Sequence, residues 1–121
     1  EACSHHAIED DIGRVKLPRW LREKAGGDLG IDNFAGRDLP DSPAGYALFV
    51  QCGGCMLGRK EILARMDKAA AAGVPIANYG TAISECKGVL ERVLSPFPAA
   101  LESYRAASAA AKARRKRIPG A

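Results

Sequence analysis

The chain has 121 residues, of which 47% are apolar, which suits one compact domain and excludes global disorder. The net charge is +4, but five cations form one C-terminal run, and without that run the chain is close to neutral. These cations are Lys112, Arg114, Arg115, Lys116 and Arg117. The charge therefore describes a tail and not a nucleic-acid-binding face. No apolar run reaches membrane-spanning length, so a membrane partner is not expected.

The first predicted element is helical and spans about Ile8–Ala25. Gly13 and Pro18 interrupt it, so we expect two short helical pieces, the second of which ends at Gly26-Gly27. The short apolar stretch Leu29–Phe34 is a candidate strand.

A polar connection over residues 36–45 leads to the apolar run Tyr46–Val50, which is typical of a strand covered on both faces. A helix is expected directly after Gly53-Gly54, and Gly73 ends it. The predicted buried face of this helix comprises Leu63, Met66 and Ala70. The cations predicted to point away from that face are Arg59, Lys60, Arg65 and Lys68.

The next predicted strand is Val74–Ala77, and a helix follows from Thr81 to the prolines at 96 and 98. Its apolar face comprises Ile83, Cys86, Leu90 and Val93. An Ala-rich segment, residues 99–117, is predicted to be partly helical and frayed. Strands that alternate with helices predict an α/β fold, a small open parallel sheet with crossover helices.

Three cysteines are predicted to meet at the carboxyl ends of the strands, where open parallel sheets bind ligands. Cys52 and Cys55 follow the Tyr46–Val50 strand. Because Cys3 lies close to a terminus, where chains fray, we expect this chain to be a piece of a longer polypeptide, cut just after a strand. In the common doubly wound order that strand would lie beside Tyr46–Val50, which would bring Cys3 next to the other two cysteines.

Three thiolates suit three irons of a 4Fe-4S cluster, and the turn at Gly53-Gly54 would aim two of them at one centre. We expect Cys55 to open the helix, whose N-terminal dipole favours the thiolate. The fourth iron would bind His5, His6 or an external molecule. Two alternatives remain open on this pattern: a thioredoxin-like dithiol protein that uses Cys52 and Cys55, and a zinc-binding structural module. Cys86 is predicted to be a small buried hydrophobe.

Several separate motifs in one order resemble the C-terminal, cluster-binding domain of HydF, the GTPase that matures FeFe-hydrogenase. The resemblance covers roughly residues 1–96, for which we expect an iron–sulfur cluster-binding domain, and residues 97–121 would be a basic helical tail. The matching motifs are Glu1-Ala2-Cys3-Ser4-His5-His6, residues 11–21, Gly36-Arg37-Asp38, Cys52-Gly53-Gly54-Cys55-Met56 and residues 73–80.

The resemblance implies a scaffold and not an enzyme, since the GTPase domain would lie elsewhere in the parent protein. It implies a 4Fe-4S cluster on Cys3, Cys52 and Cys55, with His5 beside it. The domain would also carry a transient diiron precursor bearing CO and cyanide, built by radical-SAM maturases, and pass it to the FeFe-hydrogenase apoprotein.

One departure from the family concerns the residue before the second cysteine pair. Many family members have His there, whereas this chain has Gln51, which favours an exchangeable fourth iron ligand. We also expect a homo-oligomer in the parent protein, because short Ala-rich helices leave apolar surface that neighbours can cover. A reducing, cytoplasmic location suits a chain without secretory features.

Overall fold

The structure is a computed structural model that describes residues 11–35, 40–54 and 57–117. Residue contacts divide the chain into two compact units, residues 1–86 and residues 87–121. Within the described residues, no helix combines the length and apolar character that a membrane span requires.

The first unit begins with a π-helical turn, Ile12–Lys16, that runs directly into helix α1, Leu17–Ala25. The Asp11 carboxylate caps the turn by accepting a hydrogen bond from the Arg14 backbone N–H at 2.9 Å. Pro18 is the second residue of α1, and Gly26 ends the helix in the left-handed conformation. Helical structure is confirmed from residue 12 to residue 25, but the predicted interruptions are wrong: Gly13 lies inside the π-helical turn and Pro18 inside α1, and the chain passes from one to the other without a break.

The sheet of the described residues has two parallel strands, β1 (Phe49–Gln51) and β2 (Ile76–Asn78). Helix α2 (Arg59–Ala71) connects them, as crossover helices do between the parallel strands of α/β folds. A mixed α/β fold with a small parallel sheet is therefore confirmed, although both strands are only three residues long. The strand residues of β1 are half-buried and not fully covered.

The candidate strand Leu29–Phe34 is wrong, because these residues have no regular structure. The Leu29 carbonyl accepts hydrogen bonds from the Arg22 guanidinium, at 3.4 Å from Nε and 3.3 Å from Nη2. A side chain of α1 thus occupies a backbone acceptor that a strand ladder would have used.

Helix α3 (Tyr79–Cys86) follows β2 without a loop and packs against α1 and both strands. The Lys24 ammonium ties the end of α1 to Glu85 of α3, at 3.3 Å from the backbone oxygen and 3.1 Å from Oε1. Cys86 is half-buried and not fully buried, which corrects the expectation of a core position.

The second unit contains helix α4 (Leu90–Val93) and helix α5 (Pro98–Lys116). The single helix predicted from Thr81 to the prolines is wrong, since Gly88 has a φ of 72° and separates α3 from α4. Pro98 begins α5 as its first residue, so this proline starts a helix and ends none. No residue of α5 is buried.

Apolar burial is sparse in the described residues. The buried apolar side chains are Leu17, Ala69, Val74, Ala82 and Leu90, while nine large apolar side chains remain exposed. The exposed apolar side chains include Leu48, just before β1, and Leu63 and Met66 on α2. A core of this size leaves much apolar surface for another molecule to cover.

Candidate functional site

The carboxyl end of the sheet carries the described part of the predicted cluster site. Gln51 and Asn78 are a registered pair at the ends of the two parallel strands, and Cys52 follows Gln51 directly. The Cys52 side chain is half-buried. The structure therefore places Cys52 at the strand end, as the sequence predicted, and its role as an iron ligand stays a prediction.

The turn after Cys52 requires glycine at Gly54 for two independent reasons. Gly54 is buried and has a φ of 69°, in the left-handed region that favours glycine. A Cβ atom at this position would lie 3.2 Å from Cδ1 of Ile62 on α2. The Gly54 carbonyl also accepts a hydrogen bond from the Leu57 N–H at 2.9 Å. The backbone that follows Cys52 is thus fixed against α2.

Helix α2 begins at Arg59, with Gly58 as its N-cap residue. The predicted start at Cys55 is wrong by four residues. Because the dipole effect falls off within the first turn of a helix, the proposed stabilisation of a Cys55 thiolate by this dipole loses its basis.

Asn78, at the end of β2, serves the local backbone. Its Oδ1 accepts a hydrogen bond from the Thr81 N–H at 2.8 Å, which caps the first turn of α3. The cap explains how a helix can follow a strand with no intervening loop. Tyr79, the next residue, begins α3 and lines a cavity beside the sheet.

That cavity has a volume of about 260 Å³ and is lined mainly by apolar side chains. An aromatic group forms part of its wall: Tyr46 lies 5.2 Å from Phe49 and 6.2 Å from Phe34, measured between ring centroids. The Tyr46 hydroxyl donates a hydrogen bond of 2.8 Å to the Asp32 carboxylate. This bond raises the pKa of Tyr46, with smaller contributions from desolvation and from the Asp32 charge.

Two cations of α2 reach the same cavity, which the sequence did not predict. The Arg65 side chain is 11% exposed and contacts Glu61 at 3.4 Å. The Lys68 ammonium donates to the Pro40 carbonyl at 3.1 Å. The predicted buried face of Leu63, Met66 and Ala70 is wrong, because these three side chains are exposed and the inner face comprises Ile62, Arg65 and Ala69.

The spacing of 62, 65 and 69 is as helical as that of 63, 66 and 70, so periodicity alone fits both faces. Glu61 lies four residues before Arg65 and pairs with it, but such pairs also form on exposed helix faces, so the sequence carries no signal that Arg65 faces inward. The sequence missed the Asp32–Tyr46 bond because nothing local joins those two residues.

The remaining predicted site residues, Cys3, His5, His6 and Cys55, lie outside the described residues. Across residues 11–35, 40–54 and 57–117, no three His, Cys, Asp or Glu side chains gather as a metal site would require. Of the proposed set, the described chain supplies Cys52 alone, and a thiol at a strand end beside a glycine turn fits one cluster ligand.

The family model described as "Hydrogen maturase F tetramerization domain" matches residues 1–96. A comparison with curated proteins found no match. The matched range covers the sheet, α1 to α4 and the Cys52 turn, and it stops before α5.

Proposed function

Because the chain belongs to the hydrogen maturase F tetramerization domain family, we propose that it is a self-assembling scaffold domain that holds a 4Fe-4S cluster during FeFe-hydrogenase maturation. The family links the chain to hydrogenase maturation. The assembly is a homotetramer, in keeping with the family's description, and its exposed apolar side chains supply surface for the contacts between copies.

The observation that carries the cluster proposal is the position of Cys52. It lies directly after β1, at the carboxyl end of a parallel sheet, where ligands bind. It is followed by a turn whose Gly54 has a left-handed φ. Cys3 and Cys55 complete the set of three thiolates. When bound, the cluster supplies three thiolate-held irons and one iron open to exchange.

The residues around Cys52 position it and do no chemistry of their own. Gly54 fixes the backbone against Ile62, and pairing of Gln51 with Asn78 anchors the residue before the thiol in the sheet. Such a site binds and releases cargo. The cargo is the diiron precursor with CO and cyanide, which passes from radical-SAM maturases to the FeFe-hydrogenase apoprotein.

Anaerobic reconstitution with iron and sulfide tests the cluster proposal, and the chain itself provides a matched control. Wild type should bind about four irons per chain and give the absorption and EPR signals of a 4Fe-4S cluster. Cys52→Ser should lose most of that iron. Cys86→Ser should keep it, because α3 begins at the carboxyl end of the sheet and Cys86 is its last residue, about 10 Å farther along the helix axis.

Two outcomes contradict the proposal. Equal iron retention by the Cys52 and Cys86 variants would remove Cys52 from the ligand set. A colourless wild-type chain that binds one zinc would instead support a structural zinc module.

His5 is proposed to position the diiron cargo without holding the cluster. His5→Ala should leave the iron content nearly unchanged and lower hydrogenase maturation in a reconstituted assay. Nitrogen hyperfine coupling that is present in wild type and absent from the variant would make His5 a permanent fourth ligand. Unchanged maturation would exclude His5 from the site.

A further inference from the structure

Helix α2 carries an exposed apolar stripe, Leu63, Met66 and Ala70, at helical spacing along one face. Leu63 is 44% exposed and Met66 is 43% exposed, so the stripe is open to solvent over about two turns of helix. Amphipathic helices bury such a stripe against a neighbouring element, and methionine is enriched where that neighbour belongs to another protein molecule.

The stripe lies on the flank of α2 that faces away from the cavity. Lys68 and Ala69 line the cavity together with residues 47–51, whereas the three stripe residues, all of them described, do not. Because successive strand side chains point to opposite faces, contact with every residue from 47 to 51 puts the cavity along the outer edge of β1. At 100° per residue, Lys68 lies roughly 170° around the helix from the centre of the stripe. A partner on the stripe therefore leaves the outer edge of β1 to the strand expected before Cys3.

The charges at the start of α2 favour an antiparallel neighbour. Arg59 and Lys60 are exposed in the first turn, where the positive end of the helix dipole disfavours cations. A second α2 that runs the opposite way brings its C-terminal end, the negative end of its dipole, beside these cations. A parallel neighbour would instead place the cations of both helices side by side.

We propose that the stripe packs against the same stripe of a second copy of this chain, with the two α2 helices antiparallel about a two-fold axis beside Met66. This inference rests on the proposed function, because the family's self-assembly supplies the second copy. The axis sets Leu63 of each copy against Ala70 of the other, a large side chain against a small one, and brings the two Met66 side chains together. Arg59 and Lys60 then lie beside the last turn of the facing helix.

This contact leaves the proposed cluster site of each copy open. Cys52 lies at the carboxyl end of the sheet, and α2 returns from that end with Gly58 as its N-cap residue. Gly58 precedes the middle of the stripe by about 13 Å at 1.5 Å per residue, so antiparallel helices hold the two Gly58 residues about 25 Å apart along the axis. The two cluster sites therefore lie at opposite ends of the helix pair.

A carboxylate at the centre of the stripe tests the contact by sedimentation equilibrium of the full chain. Met66→Glu places two carboxylates against each other at the axis, so association should weaken about tenfold or more, which corresponds to about 1.4 kcal/mol. Ala64→Glu is the matched control, because it adds the same charge at an exposed position of α2 about 130° around the helix from the stripe. This control should associate like wild type, and circular dichroism checks that both variants fold.

Mixing two variants tests the two-fold arrangement. Met66→Lys and Met66→Glu in equal amounts should associate more tightly than Met66→Glu alone, because opposite charges then meet at the axis. A mixture that associates no more tightly would show that residue 66 of one copy does not face residue 66 of the other, and would overturn the proposed geometry.

The outcomes separate this inference from the proposed function. A Met66→Glu variant that folds and assembles like wild type would overturn the stripe contact and leave cluster binding intact. Equal weakening by Met66→Glu and Ala64→Glu would also overturn it, since added charge alone would then be the cause. A wild-type chain that binds iron but stays monomeric at high micromolar concentration would overturn self-assembly and the stripe contact together. A chain that assembles without binding iron would contradict the cluster site alone.

Discussion

The two units of the chain are stabilised in different ways. Within the described residues, the first contains the sheet, the cavity and four of the five buried apolar side chains, whereas the second contains two helices and one such side chain, Leu90. Residues 87–121 also carry eight of the eighteen Lys and Arg residues but only two of the fourteen Asp and Glu residues. The first unit therefore depends on contacts between distant residues, and the second on local helix formation.

This difference parallels the family match, which ends at residue 96 and leaves out α5. The matched part needs a defined spatial arrangement, because the proposed role of Cys52 requires its thiol to point toward the cluster. The unmatched helix has no buried residue to preserve, so its sequence is constrained mainly by helix propensity and by charge.

The largest expected effect tests whether the first unit depends on its small core. Leu17→Ala should lower the free energy of unfolding by about 2–3 kcal/mol, the lower part of the usual range because the site already borders a cavity. Denaturant titration followed by Trp20 fluorescence measures this, since Trp20 is the only tryptophan and lies in α1. Val93→Ala changes a side chain that is 50% exposed. It should change the free energy of unfolding reported by Trp20 by less than about 0.5 kcal/mol. If Leu17→Ala and Val93→Ala lowered the free energy of unfolding equally, the two units would not differ in how they are stabilised.

The next effect concerns the turn after Cys52. Gly54→Ala should cost about 1–2 kcal/mol, the usual penalty of a left-handed φ for a residue with a Cβ, because the end of the Ile62 side chain can shift to relieve the close approach. Gly53→Ala, one residue earlier, has open space around its Cβ position and should be nearly neutral. Chemical denaturation compares the two variants. A neutral Gly54→Ala would mean that the turn does not fix the thiol.

A smaller effect is expected at the other strand end. Asn78→Ala removes the side-chain cap of α3 and should cost about 1 kcal/mol, while Asn78→Asp keeps the acceptor and most of the stability. Thermal unfolding of both variants measures the difference. If Asn78→Asp were as destabilised as Asn78→Ala, the amide group and not the cap would be the source of stability.

The smallest effect is expected in the second unit. Arg105 contacts Glu91 at 2.6 Å through Nε, but the two side chains are 62% and 55% exposed. Arg105→Ala should therefore cost no more than about 0.2–1 kcal/mol, and less at high salt. Helical circular dichroism during thermal unfolding at two salt concentrations measures this. A large loss that does not depend on salt would show that α4 and α5 depend on this pair more than its exposure indicates.

The sequence predicted best those features that the backbone determines locally. Gly26 and Gly73 both end helices with φ values of 73° and 70°, at the positions where the pattern placed the ends. Cys52 follows its strand as expected, because the apolar run Tyr46–Val50 predicts a strand and Gly53-Gly54 predicts a turn directly after it. Gly88 is the same kind of signal, but the apolar spacing of Cys86, Leu90 and Val93 continues through it and predicts a single helix instead.

The features that the sequence could not predict depend on distant contacts. Whether Leu63 or Arg65 of α2 faces inward is decided by what lies opposite the helix, and neither side chain's chemistry shows it. Leu29–Phe34 has the composition of a strand, yet Arg22 takes one of its carbonyl groups. The cluster site is predictable only to the extent of Cys52, since the meeting of Cys3 with Cys55 depends on residues outside those described.

Helix α5 determines how far the basic run can act. Lys112 lies fourteen residues after Pro98, a separation of about 21 Å along the axis at 1.5 Å per residue. The Debye length at physiological ionic strength is about 8 Å, so salt screens the field of the run well before it reaches the start of the helix. The charge of the basic run therefore has little effect at Pro98. It acts only on molecules that approach the C-terminal end of α5.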